Sequence, residues 1–544
     1  MSMNPRLLRP SASGFTPRSI PGLALWLDAS DAATLFQDAA ATTPATATSD
    51  PVGAWLDKSG NARHATQATA GSRPAISGTT QGGRKALAFA SSTTTVVSPA
   101  TVAQYVADAT TSPKMFFAWV ARPEGGSTSI VWGSPTHPNS ASRVFYASDF
   151  GAAGSHIVDF GSVSTARLTG TVGDETNNVG HVYSAFRDGA IMSVRRDGVE
   201  IIRKTNASGA YTDTTGTLSI NTTSGGSATA SWMEFLAYAA SMPAANITRI
   251  ERYLAAKWGI TLAPTVSNAD AQDWINRVYA NGGTVSASTA AAVNTLCDSL
   301  DAASLRDRFY RLNLFCGTGL NAALVPLYRG PSLGGTQYGG TTDTNVGGLF
   351  VSGDYSESTG LFAAQGTTKY LNTGLAPGNM PQSVYESMHL SVRHGIFPAV
   401  VTDPILIGAT DSAVTERMWL QMSIRLTPTA SDSVRLGRAT AATSLTAMSG
   451  ARSPGFLLGT RSSSTSVKFF RNAVQDGENT TATTGITANP YPFFVFRNNT
   501  IGSPTGDWPG GTICSYSIGD DLTNEQVTAF NDAQTAFNAA IGRA

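Results

Sequence analysis

The chain is short of charge. Only 14% of its 544 residues are Asp, Glu, Lys or Arg, and 37 basic side chains balance 37 acidic ones. A neutral chain has no overall field to draw in nucleic acid or an anionic membrane, so neither is expected as a partner. Cysteine is scarce too. Cys297, Cys316 and Cys514 are odd in number and form no CxxC, which argues against a disulfide framework or a zinc site. No apolar run reaches the length of about 18 residues that a membrane-spanning helix needs. The N-terminus lacks the basic-then-apolar order of a signal peptide, so synthesis in a cytosol is expected. Catalytic signatures are missing as well. The histidines at 64, 137, 156, 181, 389 and 394 are scattered, with no HExxH, nucleophile elbow or phosphate loop around them.

Polarity comes instead from Thr, Ser, Asn and Gly, a profile that suits sheet proteins with many turns. Short segments such as "KMFFAWVARP", "SRVFYASDF", "PILIGATD" and "YPFFVFRNN" are aromatic and β-branched and end in turn residues, as sandwich strands do. Few stretches read as helix. "NITRIERYLAAKWGI" puts Ile247, Ile250, Leu254 and Trp258 on one face, with Asn246 as a cap and Gly259 as the stop. "LTNEQVTAFNDAQTAFNAAIG" carries a Thr523/Gln526 capping box. Each of these helices follows a comparable strand. "IMSVRRDGVEI" also parallels "SVKFFRNAVQD", each with a tight turn, at Asp197-Gly198 and Asn472-Ala473. Setting Tyr238 beside Tyr516 predicts an internal duplication of about 240 residues. Between the copies, "ADAQDWINRVYANGG" and "SASTAAAVNTLCDSLDAASLRDRF" predict a helical connector of about 45 residues.

Trp-Leu-Asp occurs twice, at 26–28 and 55–57, and the second leads into "KSGNARHA". Both tryptophans are expected to face inward, and both aspartates to end strands. "PGLALWLDASDAATLF", "VGAWLDKSGNARHATQATAGSRPAI", "RKALAFA" and "RIERYLAAKWGI" together resemble the concanavalin A/laminin G-like jelly-roll domains of bacteriophage and prophage virion proteins. "LRDRFYRLNLFCGTGLNAALVPLYRG", leading to "GTTKYLNTGLAPG", is similar to another piece of phage structural proteins. The resemblance implies a tail fibre, baseplate or head decoration component, made in the bacterial host and assembled on the outside of the particle. Its partners would be other virion proteins, copies of itself and host-surface polysaccharide. The expected fold is mainly β: two antiparallel concanavalin A-like sandwiches joined by the helical connector. The expected layout is a docking arm over 1–18, a sandwich over 19–263, the connector over 264–312 and a second sandwich over 313–544.

Candidate site residues follow from chemistry. Trp132, Tyr146 and Asp149 near strand ends, with Tyr338 and Trp508 in Gly-rich loops, are the candidates for stacking on and hydrogen bonding to a sugar. Asp57, Ser59 and Asn61, with Asp28 or Asp31 completing the shell, could offer oxygens to calcium, which takes about six to eight. A tight turn with Asp57 bonding backbone amides is the alternative. Arg6, Arg9 and Arg18 precede any acidic residue and make the arm a docking element. Glu200 and Glu234 stand alone on their strands, unlike the paired carboxylates of glycosidases, about 5–9 Å apart. The chain is therefore expected not to be an enzyme, with a purely structural cement and a capsule depolymerase as the alternatives.

Overall fold

The computed structural model describes residues 15–543 except 91–94, 125–128, 135–141, 149–154, 172–177, 224–225, 365, 382–386, 396–404, 412–415, 422–432, 439–444, 447–453, 482–488 and 507–509. Two compact units divide after Ala263. Each is built on a sandwich of antiparallel pairs, save that Ile405–Thr410 and Asn498–Thr500 of the second unit run parallel.

In the first unit one sheet runs β5–β4–β3–β2–β6. Here β2 is Lys114–Pro123, β3 His181–Asp188, β4 Ile191–Arg196, β5 Val199–Lys204 and β6 Ala230–Tyr238. The far side of β6 pairs with Leu87–Phe89 and with β1, Leu23–Asp28. The second sheet centres on Val131–Gly133, Ser142–Ala147 and Thr217–Ile220. The unbroken apolar run of β2 has a physical cause. Phe117 and Trp119 pack between the sheets, while Phe116, Ala118 and Val120 alternate to the other face and lie under helix α1, Ala244–Trp258. A strand covered on both faces has no polar side to show. Ile247, Ile250, Leu254 and Trp258 are the buried face of α1, each contributing about 1.5–3 kcal/mol on full burial. Gly259 ends the helix at φ 65°, but Pro243, not Asn246, occupies the N-cap, where no side chain caps the helix.

In the second unit, helices α2 (Ala269–Ala280) and α3 (Ala287–Ala302) fold as part of the unit itself instead of forming a free-standing connector. The Trp274 indole donates to the Val325 carbonyl, and α3 packs on α4, Asn524–Ala540. The sheet then repeats the first. The order is β11–β10–β9–β8–β12, with β8 at Met388–His394, β9 at Gly455–Ser463, β10 at Ser466–Arg471, β11 at Val474–Asn479 and β12 at Gly511–Gly519. Gly360–Ala363 and β7, Phe309–Asn313, pair with the far side of β12, as Leu87–Phe89 and β1 do with β6. Thr523 and Gln526 form the expected capping box at the start of α4.

The irregularities repeat as well. The pairing shifts between Leu23 and Leu25 in β1 and between Phe309 and Arg311 in β7. One extra residue, Met233 in β6 and Cys514 in β12, bulges at the same place in each ladder. Asp197-Gly198 and Asn472-Ala473 both turn with positive φ at both residues, the geometry of a tight hairpin. Each turn is pinned alike. Asp197 exchanges hydrogen bonds with the backbone of Val182, and Asn472 does the same with Phe456. These registers place Glu234 with Ser515, Phe235 with Tyr516, and Tyr238 with Gly519. The Tyr238–Tyr516 correspondence is therefore corrected by three residues. Two tyrosines attracted one another in the sequence while facing opposite sides of their sheets.

Candidate functional site

The densest group of ionisable side chains in the first unit lies between the sheet and α1. Glu234 accepts from the indoles of Trp26 and Trp258, both at 2.7 Å, and from the Tyr253 hydroxyl at 2.9 Å. The Lys257 ammonium bridges Glu234 and Asp28, 2.7 Å from each. Lys58 then links Asp28 at 2.8 Å to Asp31 at 2.7 Å. Burial pushes the Glu234 carboxyl above its ordinary range, against the pull of Lys257. Burial acts the same way on Asp28, but Lys257 and Lys58 outweigh it and hold that carboxyl low. Glu234 is 0% exposed and Asp28 3%. Enclosed in this way, the group fastens α1, β1 and β6 together. It also explains the first Trp-Leu-Asp: Trp26 packs toward α1, not between the sheets as expected, and Asp28 reaches the two lysines.

The second Trp-Leu-Asp works differently. Trp55 belongs to the core between the sheets. The Asp57 carboxylate accepts from the backbone amides of Trp26, Ser59 and Arg63 and from the Ser59 hydroxyl. The Asn61 amide nitrogen donates to the carbonyls of Leu23 and Ala24. Asp57, Ser59 and Asn61 thus form a turn that docks on β1. Asp28 is tied to lysines and does not point into that turn. Among the described residues, no group of three His, Cys, Asp or Glu stands where it could hold a metal.

The proposed sugar contacts disperse. Trp132 is the hub of the aromatic core, with its ring 4.7 Å from Phe117 and 5.2 Å from Phe235. Tyr146 is fully buried, its hydroxyl 2.9 Å from His156 Nδ1. Tyr338 is half-buried edge-on against Tyr310. An aromatic residue near a strand end reads in sequence like a rim residue; here the opposing sheet covers both Trp132 and Tyr146. Asp149 and Trp508 lie outside the described residues, as do Arg6 and Arg9. Arg18 donates through Nε to the Lys58 carbonyl at 2.8 Å, and Phe15 packs on Tyr253, so residues 15–18 are held by their own sandwich.

In the second unit a buried ion pair lies between the sheets. Arg311 forks onto Asp343 at 2.9 and 2.6 Å, and Asp343 also accepts from Tyr516 and Asn313, both at 2.7 Å. By register Arg311 takes the place of Leu25. Neither this cluster nor Glu234 was singled out as a site from sequence, because their partners lie up to 208 residues away along the chain.

No protein-family model and no curated protein matches the chain. Among solved structures it is similar to a Trypanosoma rangeli sialidase at 12% identity and a TM-score of 0.31, over 44% of this chain and 34% of that one. It is also similar to an arabinofuranosidase complexed with arabinofuranosyl-alpha-1,2-xylobiose, at 13% identity and a TM-score of 0.33, over 45% of this chain and 66% of that one. The chain thus spans about a third of the sialidase and just under two thirds of the arabinofuranosidase. Both are glycosidases by name, and the expectation that the chain is not an enzyme is withdrawn on that finding. At these TM-scores the likeness assigns the chain no activity of its own.

Proposed function

We propose that the protein is a structural component of a phage particle, in a tail fibre, baseplate or head decoration, and that its sandwiches serve attachment to host-surface glycan. The observation that carries this proposal is the repetition of one sheet of the sandwich, strand for strand and bulge for bulge, within one chain. Support for the virion setting comes from the sequence resemblance of both halves to phage structural proteins. A repeated sandwich offers two sets of loops on rigid scaffolds, where contacts can vary without disturbing the core. Two weak sites on one chain reinforce each other through effective concentration. The segment before Phe15, with Arg6 and Arg9, would dock on other virion proteins or on further copies of the chain.

Labelling intact particles with an antibody to the protein tests the first half of the proposal, and a host-glycan array with and without calcium tests the second. Labelled particles and saturable binding are expected. Particles without label would overturn the virion assignment. Labelled particles with no glycan bound would leave a cement protein and overturn attachment. Release of reducing ends during the same incubation would replace attachment with depolymerisation.

A further inference from the structure

The space between sheet and terminal helix is filled in the first sandwich and hollow in the second. At the bulge of β6 the Met233 side chain is fully buried against the α1 face. Its counterpart in β12 is Cys514, a shorter side chain, which lines a cavity of about 250 Å³ together with Arg393, His394, Arg543 and Thr535 of α4. The charges differ in the same place. Where the first sandwich has Glu234 to answer its lysine, the second has Ser515, whose hydroxyl donates to Gln534. Where the first has Val120, the second has Arg393.

Two guanidinium groups thus meet at this cavity, and no Asp or Glu lines it. Arg543 is buried and directs its hydrogen bonds to neutral groups, among them the carbonyls of Leu314 and Cys514. Arg393 is half-buried, and its partners are also neutral. Nε reaches Gln534 at 3.3 Å, and Nη2 reaches Asn531 at 2.9 Å and Thr535 at 3.1 Å. Its Nη1 takes part in none of these bonds. Among the described residues neither arginine has a carboxylate within ion-pair distance. Positive charge removed from water without a counter-ion is costly, and guanidinium geometry matches a planar carboxylate. Burial accordingly lowers the proton affinity of Arg393.

We propose that this cavity binds a small organic carboxylate of sugar-acid size, the carboxylate taking Arg393 Nη1 in the field of Arg543. The volume is below the range of about 300–1,000 Å³ typical of drug-sized ligands, which limits the occupant to one small molecule. The hydroxyl of Thr535 and the amide of Asn472 at the rim suit an occupant that carries hydroxyl groups. This site is independent of glycan attachment. A blank glycan array with a positive titration here would retain it.

The test is calorimetric titration of the full chain with sodium glucuronate, and with glucose at matched ionic strength. Saturable binding of glucuronate and none of glucose is expected. Thr535 is exposed on α4, so Thr535→Glu supplies a carboxylate beside Arg393 without disturbing the core. That variant should unfold at a temperature no lower than the parent and bind glucuronate at least about tenfold more weakly. No heat from glucuronate, equal heat from both sugars, or undiminished binding by a folded Thr535→Glu protein would each overturn the proposal.

Discussion

The main sheets of the two sandwiches share one plan, and each unit sets an ion cluster on a different side of it, around Glu234 beneath the helix in the first and between Arg311 and Asp343 within the sandwich in the second. In the first the space between the sheets holds no charge at the Leu25 position, and its centre is aromatic, with Trp119, Trp132 and Tyr183 in contact. One ion cluster lies beneath the helix around Glu234, while the buried Arg143–Asp159 pair and the buried Arg187 lie elsewhere in the unit. In the second, Arg311 and Asp343 occupy the space between the sheets, and the carboxylate beneath the helix is gone. The same sheet plan therefore accommodates an ion cluster in either location, and position in the fold does not dictate polarity here.

Exchanging the two solutions should produce the largest effects. Arg311→Leu copies the first sandwich but strands Asp343, and Glu234→Ser copies the second but leaves Lys257 with Asp28 alone and takes the acceptor from two indoles and the Tyr253 hydroxyl. Each should cost about 3–5 kcal/mol in urea unfolding. The paired variant Arg311→Leu/Asp343→Leu should recover most of its loss, since replacing a whole buried pair by apolar groups is often neutral. Equal losses in the single and paired variants would show that the slot, not the pairing, demands the charge.

Acid should separate the halves next. Burial holds His389 and His394 down to about 4, against an ordinary 6.5. His389 is fixed as the neutral ring, with Nδ1 donating to the Asp520 carbonyl and Nε2 accepting from Ser517. Between those two values the unfolded chain binds more protons than the folded one, so stability falls as pH drops from about 6.5 toward 4. The loss reaches up to about 3 kcal/mol for each histidine. Glu234 has the opposite sign. Its carboxyl is raised on folding, so acid relieves a penalty in the first sandwich. Calorimetric melts at pH 7 and pH 5 should show the transition that Arg311→Leu shifts moving down the more. His389→Asn should reduce that pH dependence.

The smallest effect distinguishes the two hairpin turns. Gly198 adopts φ 88° freely, whereas Ala473 holds φ 65° against the preference of an L-residue. Ala473→Gly should gain, and Gly198→Ala lose, about 1 kcal/mol or somewhat less. Thermal melts of the two single variants would read both signs.

Much of the scaffold was legible because its causes are local. The run "FFAWVA" between Phe116 and Ala121 has no polar alternation because it is covered twice. The Asp197-Gly198 turn and the Thr523/Gln526 box announce themselves in adjacent residues. The candidate site was not legible, for the converse reason. The partners of Glu234 come from β1 and α1, and Asp343 meets Arg311 from a loop. Trp132 and Tyr146 misled because distance from a strand end says nothing about what covers it. The slipped alignment of the halves has a separate origin. A bulge puts two successive residues out of alternation, so a pattern matched from one side of it fails on the other.

That bulge also bears on how the halves are compared. The extra residue offsets one strand against its partner, and deleting it would turn every later side chain to the wrong face until the whole ladder paired afresh. Met233 and Cys514 thus mark the same step in both ladders whichever side chain occupies it, and the two halves are anchored to one another at the bulge better than at an aromatic residue.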